Sequence, residues 1–445
     1  MNTSTAESIV HRPPPLTRAL LMSGFALVLL LAQGMAQAVD PEPPTPRRPD
    51  APALALPGPH NVGVTTLRLT HPDQIDPLNG AETTGEPPRY DRELTVELWY
   101  PARCCPDSVT VYEDVLGSGP GNPARPLRPF RFKGAATRNA VPDERAGPAP
   151  LVILSHGYPG SRVLMSYLGE HLASHGYLVA AIDHTHSTHQ DRDDFASTLF
   201  HRPRDIRFVM EELLEGRYRG ERLAFADPQR TAVIGYSMGG YGALVAAGAG
   251  VAPGVANGAF VPHGAMAKLA EDSVEADARI RAVVALAPWG APAALTAAGV
   301  ASRAVDALWQ PSAFAGITAP VLYVSGDVDT VSGYEGGVRW LWEQDHGADQ
   351  VKLLTYHQAR HNVAPTPPPL ASRPFPREFA HYAEPVWDIE RLNDLNRHFI
   401  TAFLARHLRD DESMEAYLRP WRNGANPAPR GFPPGTALGF TLERR

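Results

Sequence analysis

One short segment limits what this chain can fold into more than any other part of it. The apolar residues 231–234 are followed by Gly235-Tyr236-Ser237-Met238-Gly239, and small residues fill positions 240–247. This order predicts a buried strand, a sharp turn and a helix. A residue at the tip of such a turn has a strained backbone, and glycine on either side lets the neighbouring chain approach closely. The segment therefore predicts a strand-turn-helix unit that lifts the Ser237 hydroxyl clear of a sheet.

The rest of the chain repeats this alternation of apolar strands and helices. Strands are predicted at residues 64–69, 93–100, 151–154, 177–182, 231–234, 281–286, 320–324 and 351–355, and helices at residues 165–174, 203–214, 334–344 and 392–408. Continuous apolar strands between helices indicate a mostly parallel sheet buried on both faces. Residues 102–148 are rich in Pro, Gly and Arg and predict an irregular insertion. The long connections 250–278 and 293–317 are candidate lids or substrate walls, since they follow strand ends.

The N-terminus has the pattern of an export signal. His11, Arg12 and Arg18 precede an apolar run that ends at residue 31, and Ala36-Gln37-Ala38 supplies a cleavage site. We expect residues 1–38 to be a signal peptide cut near Ala38, which leaves the protein periplasmic or secreted. A retained membrane anchor is the alternative, and membrane contact is expected only in that case.

The remaining chain divides into three predicted parts. We expect a proline-rich linker at residues 39–60, a catalytic domain at 61–420 and a Pro/Gly-rich tail along the surface at 421–445. The formal charge of -7 gives no indication of a nucleic-acid surface. Cys104 and Cys105 are adjacent, and the sequence leaves open whether they are bonded.

Two further loops carry residues that suit nucleophilic catalysis. The loop after strand 320–324 contains Asp327 and Asp329, and the segment after strand 351–355 contains His357 and His361. A free serine is a poor nucleophile and needs a base to take its proton, while a carboxylate fixes the tautomer of that base. We favour His361 over His357, which lies nearer the strand. Either aspartate fits the residue pattern alone.

Several motifs together resemble known families. They are Leu98-Trp99-Tyr100-Pro101, His156-Gly157, residues 172–177, residues 235–240 and the surroundings of Asp329 and His361. Over residues 90–410 the chain resembles α/β-hydrolases of the dienelactone hydrolase and platelet-activating-factor acetylhydrolase-like group, and also the bacterial cutinase-like polyesterases. The resemblance implies an α/β-hydrolase fold with lid-like insertions, hydrolysis of carboxylic esters through an acyl-enzyme, and no metal or cofactor.

The resemblance also assigns roles to residues of the site. The resembling families place their acid at the second loop position, which favours Asp329 over Asp327. The oxyanion is expected to be held by the backbone N–H groups of Met238 and Tyr158. In the polyesterases, aromatic residues resembling Tyr158 and Trp289 flank the acyl group, while simple packing is the alternative for Trp289.

The chain departs from the resembling families at two positions. Dienelactone hydrolases use cysteine where this chain has Ser237. Plasma-type acetylhydrolases carry their acid just after the strand matching 281–286, where this chain has Ala287. A phospholipid substrate is therefore in doubt.

Two interpretations compete with the expected serine esterase acting on a small-molecule, lipid or polymer ester. One is a serine peptidase on the same fold, and the other is a non-catalytic exported binding protein. The spacing of His184, His186 and His189 imitates a metal motif, but Thr188 stands where that motif needs aspartate. We therefore expect these histidines to form hydrogen bonds rather than a metal site.

Overall fold

The computed structural model contains a central β-sheet of ten strands. The structure describes residues 41–43, 47–79, 87–103, 109–193, 195–215, 225–257, 261–272, 276–299, 308–345 and 350–445. The expected signal peptide with its cleavage site near Ala38, and the pair Cys104 and Cys105, lie outside these residues.

The strands agree closely with the apolar runs of the sequence. They are β1 (Asn61–Ile75), β2 (Arg89–Ala102), β3 (Val111–Leu116), β4 (Arg128–Lys133), β5 (Thr137–Arg138), β6 (Ala149–Ser155), β7 (Leu178–Asp183), β8 (Ala226–Tyr236), β9 (Ile280–Leu286), β10 (Val321–Gly326), β11 (Val351–Tyr356) and β12 (Phe440–Arg444). The sheet order is β12-β11-β10-β9-β8-β6-β7-β2-β1-β5. Strands β6 to β11 are parallel, while β1, β2 and β12 pair antiparallel. Every residue of β6, β10 and β11 is buried, which explains their unbroken apolar character.

Helices cover both faces of this sheet. They are α1 (Ser166–Ser174), α2 (Phe195–Glu215), α3 (Met238–Ala246), α4 (Pro253–Ala256), α5 (Ala265–Asp272), α6 (Pro292–Ala297), α7 (Trp340–Gln344), α8 (Pro376–Phe379) and α9 (Ile389–Leu408). One apolar cluster joins α2 and α3 to one face, and a second joins α1 and α9 to the other. The architecture is the expected α/β-hydrolase fold.

The strand order places two loops side by side. The chain leaves β6 for β7 on one side and returns to β8 on the other side of β6. The carboxyl ends of β6 and β8 therefore border a crevice where the direction of winding reverses, which is the usual ligand position in open α/β sheets.

Three segments differ from the sequence prediction. The insertion at 102–148 is not irregular throughout, because β3 and β4 pair as a hairpin and β5 joins the main sheet. Helix α2 begins eight residues before its predicted start and contains Pro203 in its interior. The predicted helix 334–344 starts as a π-type turn, because Gly336 and Gly337 have non-helical backbone angles.

The expected linker and tail are both packed against the domain. Ala53 N–H donates to Gly431 O at 2.8 Å, and Leu54 N–H donates to His398 Nδ1 at 3.2 Å. The tail supplies β12, in which Phe440 is fully buried and Leu442 nearly so. Pro41–Arg445 consequently forms one compact unit. Within the described part of the chain, no helix has the length and apolarity needed to span a bilayer.

Candidate active site

Ser237 lies on the turn between β8 and α3. Its backbone angles are φ 55° and ψ -116°, a strained conformation for a residue with a side chain. A Cβ on Gly235 would lie 2.0 Å from Gly239 O, and one on Gly239 would lie 2.0 Å from Ser155 O. The two glycines of the motif are thus needed for close approach of backbone to backbone.

His361 connects Ser237 to a buried carboxylate. Its Nε2 lies 3.0 Å from Ser237 Oγ, and its Nδ1 lies 2.8 Å from Asp329 Oδ2. The other oxygen of Asp329 accepts the N–H groups of Val331 at 2.7 Å and Ser332 at 3.0 Å. The carboxylate therefore selects the tautomer with a proton on Nδ1, which leaves Nε2 free to accept the serine proton.

Asp327 and His357, the alternative acid and base, form a separate pair. His357 Nδ1 lies 2.9 Å from Asp327 Oδ2, and His357 Nε2 lies 2.8 Å from Thr441 Oγ1 on β12. These contacts direct the pair to the sheet edge, so the structure brings Asp329 and His361, and not Asp327 and His357, to the serine.

The loop after β6 lies beside Ser237, since a Cβ on Gly157 would lie 3.5 Å from the Cβ of Ser237. Gly157 O accepts the Nδ1–H of His156 at 2.6 Å on the inner side of the loop. In a trans peptide the C=O and N–H groups point in opposite directions, so Tyr158 N–H points away from His156. Gly157, Tyr158 and Ser237 border the same cavity. Met238 begins α3, where N–H groups have no partner within the helix.

A buried network of charged and polar side chains holds the loop after β6. The Arg202 guanidinium donates to His156 O, to Ser155 Oγ at 3.2 Å and to Gly157 O at 3.4 Å. Burial, with a contribution from Arg202, lowers the pKa of His184 to about 4. Neutral His184 then has one ring nitrogen 2.9 Å from Asp205 Oδ2 and the other 2.9 Å from Ser155 Oγ.

The three histidines of the metal-like motif contact different partners. His184 binds Asp205, His186 Nδ1 lies 3.2 Å from Ser197 Oγ, and His189 Nδ1 lies 3.1 Å from Gly117 O. Among the residues that the structure describes, no group of three or more His, Cys, Asp or Glu side chains is placed to hold a metal ion.

Ser237 and His361 open into a cavity of about 930 Å³. Its wall opposite the strand ends comes from residues 377–385, which include α8 and the turn after it. The described residues of 250–278 and 293–317 do not line it, which differs from the expectation that they form lids. Tyr158 separates this cavity from a shallower one of about 580 Å³.

Trp289 lies behind the cavity rather than in its wall. Its backbone N–H donates to Ser237 O at 3.0 Å, and its ring meets the Phe195 ring edge-on at a centroid distance of 5.0 Å. Phe195 in turn contacts the Tyr158 ring at 5.3 Å. Only 8% of Trp289 is exposed. Contact between Trp289 and substrate stays a prediction.

A carboxylate that the sequence did not predict holds the loop that carries His361. Glu384 Oε2 accepts Arg360 N–H at 2.6 Å, and its Oε1 accepts Asn362 N–H at 2.7 Å, so it binds the backbone on both sides of His361. Asn362 Nδ2 also donates to Ala380 O at 2.7 Å and to Ala383 O. Glu384 lies in an irregular segment, where no sequence pattern marks it.

Comparison with known proteins agrees with this architecture. Residues 135–255 match the model of the PET hydrolase-like family. A cutinase of Thermobifida alba, est1, is 36% identical over 93 residues, which is 21% of this chain and 28% of the cutinase. A cutinase of Thermobifida fusca (strain YX) is 34% identical over 93 residues, 21% of this chain and 26% of its own. A solved ferulic acid esterase from Streptomyces cinnamoneus superposes with a TM-score of 0.51 and 23% identity, over 80% of this chain and 93% of that one.

The chain has an α/β-hydrolase fold, and its residues 135–255 are similar to the PET hydrolase-like family. Its sequence similarity to the cutinases spans only about a quarter of their length. The likeness to the ferulic acid esterase, at 23% identity, concerns the fold. These similarities leave the substrate open, and the residues of the site itself carry the information on it.

Proposed function

We propose that this protein is an exported serine esterase that cleaves carboxylic esters through an acyl-enzyme. The observation that supports it most strongly is the unbroken chain of contacts from Ser237 Oγ to His361 at 3.0 Å and from His361 to Asp329 at 2.8 Å. The similarity of residues 135–255 to the PET hydrolase-like family, and of part of the chain to cutinases, favours esters over amides.

The reaction begins with proton transfer from Ser237. His361 Nε2 takes the hydroxyl proton while Oγ attacks the ester carbonyl carbon. Asp329 stabilises the imidazolium that forms. The former carbonyl oxygen then carries a negative charge and accepts hydrogen bonds from the backbone N–H groups of Met238 and Tyr158. Each of these hydrogen bonds stabilises the transition state by roughly 3–4 kcal/mol.

Collapse of this tetrahedral species breaks the bond to the alcohol. His361 returns its proton to the departing alkoxide oxygen and leaves the acyl group on Ser237. A water then gives its proton to His361 and attacks the acyl carbon, and breakdown of this second species releases the acid and restores the serine.

The cavity size is compatible with several ester classes. About 930 Å³ is enough space for a short polymer segment, a lipid acyl chain or a small aromatic ester. The proposal that the protein is exported is based only on the sequence of residues 1–38.

The test is hydrolysis of p-nitrophenyl esters from acetate to palmitate by the protein and by Ser237→Ala. We expect the variant to lose activity by at least about 10³-fold, and the optimum chain length to report the size of the acyl pocket. Labelling of the wild type but not of Ser237→Ala by a fluorophosphonate identifies the nucleophile. Hydrolysis of p-nitroanilides in preference to esters would favour the peptidase, and absence of both labelling and hydrolysis would favour a binding protein.

A further inference from the structure

The cavity of this acidic protein is lined by arginine. The chain has a formal charge of -7, yet the side chains that border the cavity include Arg125, Arg360 and Arg377 against a single carboxylate, Glu384. Positively charged side chains at a cavity raise the local concentration of anionic ligands.

Two of these arginines have no carboxylate partner in the part of the chain that the structure describes. Arg125 forms a bidentate pair with Glu378 at 2.8 and 2.9 Å. Arg360 and Arg377 are exposed, and among the described residues no carboxylate oxygen lies within 4.0 Å of either guanidinium. Arg360 Nη2 donates to Thr330 Oγ1 at 3.4 Å.

The charge of Glu384 interacts with that of Arg360, but among the described residues the two side chains form no ion pair within 4.0 Å. Its two oxygens accept the backbone N–H groups on either side of His361, and its side chain is buried while the arginines are exposed. The two guanidinium groups therefore keep donors available for a bound anion, and a guanidinium fork matches the two oxygens of a carboxylate.

The position of His361 indicates which part of an ester meets these arginines. His361 Nε2 hands its proton to the departing oxygen, so the alcohol portion lies on the His361 side of Ser237. That side of the cavity is formed by Arg360 and by residues 377–385, and it also carries the exposed apolar side chains Val331 and Phe379. It thus combines an apolar wall with an unpaired positive charge.

We propose that this α/β-hydrolase prefers esters whose alcohol portion carries a carboxylate, as in an ester of a hydroxycarboxylic acid or the acid end of a polyester chain. The inference rests on the proposed esterase function and names its substrate class. Arg360 and Arg377 bind the carboxylate, and Val331 and Phe379 contact the carbon skeleton between it and the scissile bond.

The test compares two acetyl esters of similar shape, 4-acetoxybenzoate and the neutral 4-acetoxybenzamide. The readout is kcat/KM for 4-acetoxybenzoate divided by kcat/KM for 4-acetoxybenzamide. Intrinsic differences between the two leaving groups cancel when this ratio is compared between enzyme variants. We expect this ratio to fall about threefold to fivefold in Arg360→Gln and in Arg377→Gln, and about tenfold in the double variant, mainly through KM. Arg422→Gln removes an exposed arginine that does not line the cavity and should leave the ratio unchanged.

Salt provides an independent readout on the unmodified protein. Raising NaCl from about 20 mM to about 500 mM should lower kcat/KM for 4-acetoxybenzoate and not for the amide, because screening weakens the attraction. An unchanged ratio in the double variant would overturn the proposal.

A second substrate pair tests the assigned side of the ester. A preference for p-nitrophenyl hemiglutarate over p-nitrophenyl valerate that is lost in the double variant would place the carboxylate on the acyl side and also overturn the proposal. If neither acetoxy ester is hydrolysed, the esterase function itself fails, and hydrolysis of both with equal ratios refutes only the carboxylate preference.

Discussion

Replacing Glu384 by glutamine should loosen the loop that carries His361. The carboxylate accepts one N–H on each side of the histidine, at 2.6 and 2.7 Å, and its side chain is only 6% exposed. Burial raises the pKa of Glu384, and the two N–H donors oppose that shift. Glutamine has one oxygen, so it can accept only one of the two N–H groups and turns its own NH₂ towards the other.

The size of the effect follows from the lost contact. A hydrogen bond to a charged, buried group contributes about 1.5–3 kcal/mol. For a domain of this size the loss should lower the melting temperature by about 2–4 °C. If the histidine loop shifts as a result, the same free energy in the transition state corresponds to a decrease in kcat of about 10- to 100-fold.

The assay pairs thermal unfolding with kcat and KM for p-nitrophenyl butyrate. We expect Glu384→Gln to lower kcat with little change in KM, because the carboxylate acts on the catalytic base through the backbone. Glu384→Asp, which keeps two oxygens on a shorter arm, should recover part of the loss. An unchanged melting temperature together with unchanged kcat would show that the carboxylate does not hold this loop.

Three further predictions concern the same site. Asp329→Asn should reduce kcat about 10³- to 10⁴-fold at unchanged melting temperature, because the amide no longer selects the required tautomer of the base; wild-type kinetics would assign the acid elsewhere. Gly239→Ala should destabilise the fold by about 3 kcal/mol or more, since the new Cβ would lie 2.0 Å from Ser155 O, whereas Gly336→Ala, whose Cβ would meet its nearest neighbour at 3.5 Å, is the matched control in a thermal melt. His184 is neutral in the fold, with its pKa lowered from 6.5 to about 4, so the unfolded chain binds more protons in this interval and stability falls as the pH drops from about 6.5 towards 4. His184 alone should lower the free energy of unfolding by about 2 kcal/mol at pH 5. Equal urea midpoints at pH 7.5 and pH 5 would contradict the neutral state assigned to His184.

The parallel strands were predictable because each is a continuous apolar run. Strands β6, β10 and β11 are buried along their whole length, β9 is buried except at Arg281, and β8 is buried from Thr231 onward, so burial dictates the residue types of these segments. The loops that follow these strands were predictable because each begins where an apolar run ends. Once the strand ends are known, Ser237, Asp329 and His361 must meet at one edge of the sheet, and the structure brings these three within hydrogen-bond distance.

Other features depend on contacts that no local pattern encodes. Pro203 is tolerated within α2, although proline suggests a helix start. Strand β12 has only five residues and ends in charged side chains, and its strand character comes from pairing with β11. Glu384 has its role only because the chain returns to the histidine loop after leaving it, and such a return is set by tertiary packing.

The pairing of β11 with β12 has a consequence for how the protein is made. Until residues 440–444 have been synthesised, β11 is an edge strand with unpaired N–H and C=O groups. The segment that follows β11 leads directly to His361, and His357 N–H within it donates to Gly439 O at 2.8 Å. During translation the turn at Ser237 can therefore form well before the histidine loop is fixed. The growing chain then passes through a stage in which most of the sheet is built and His361 is not yet held beside Ser237.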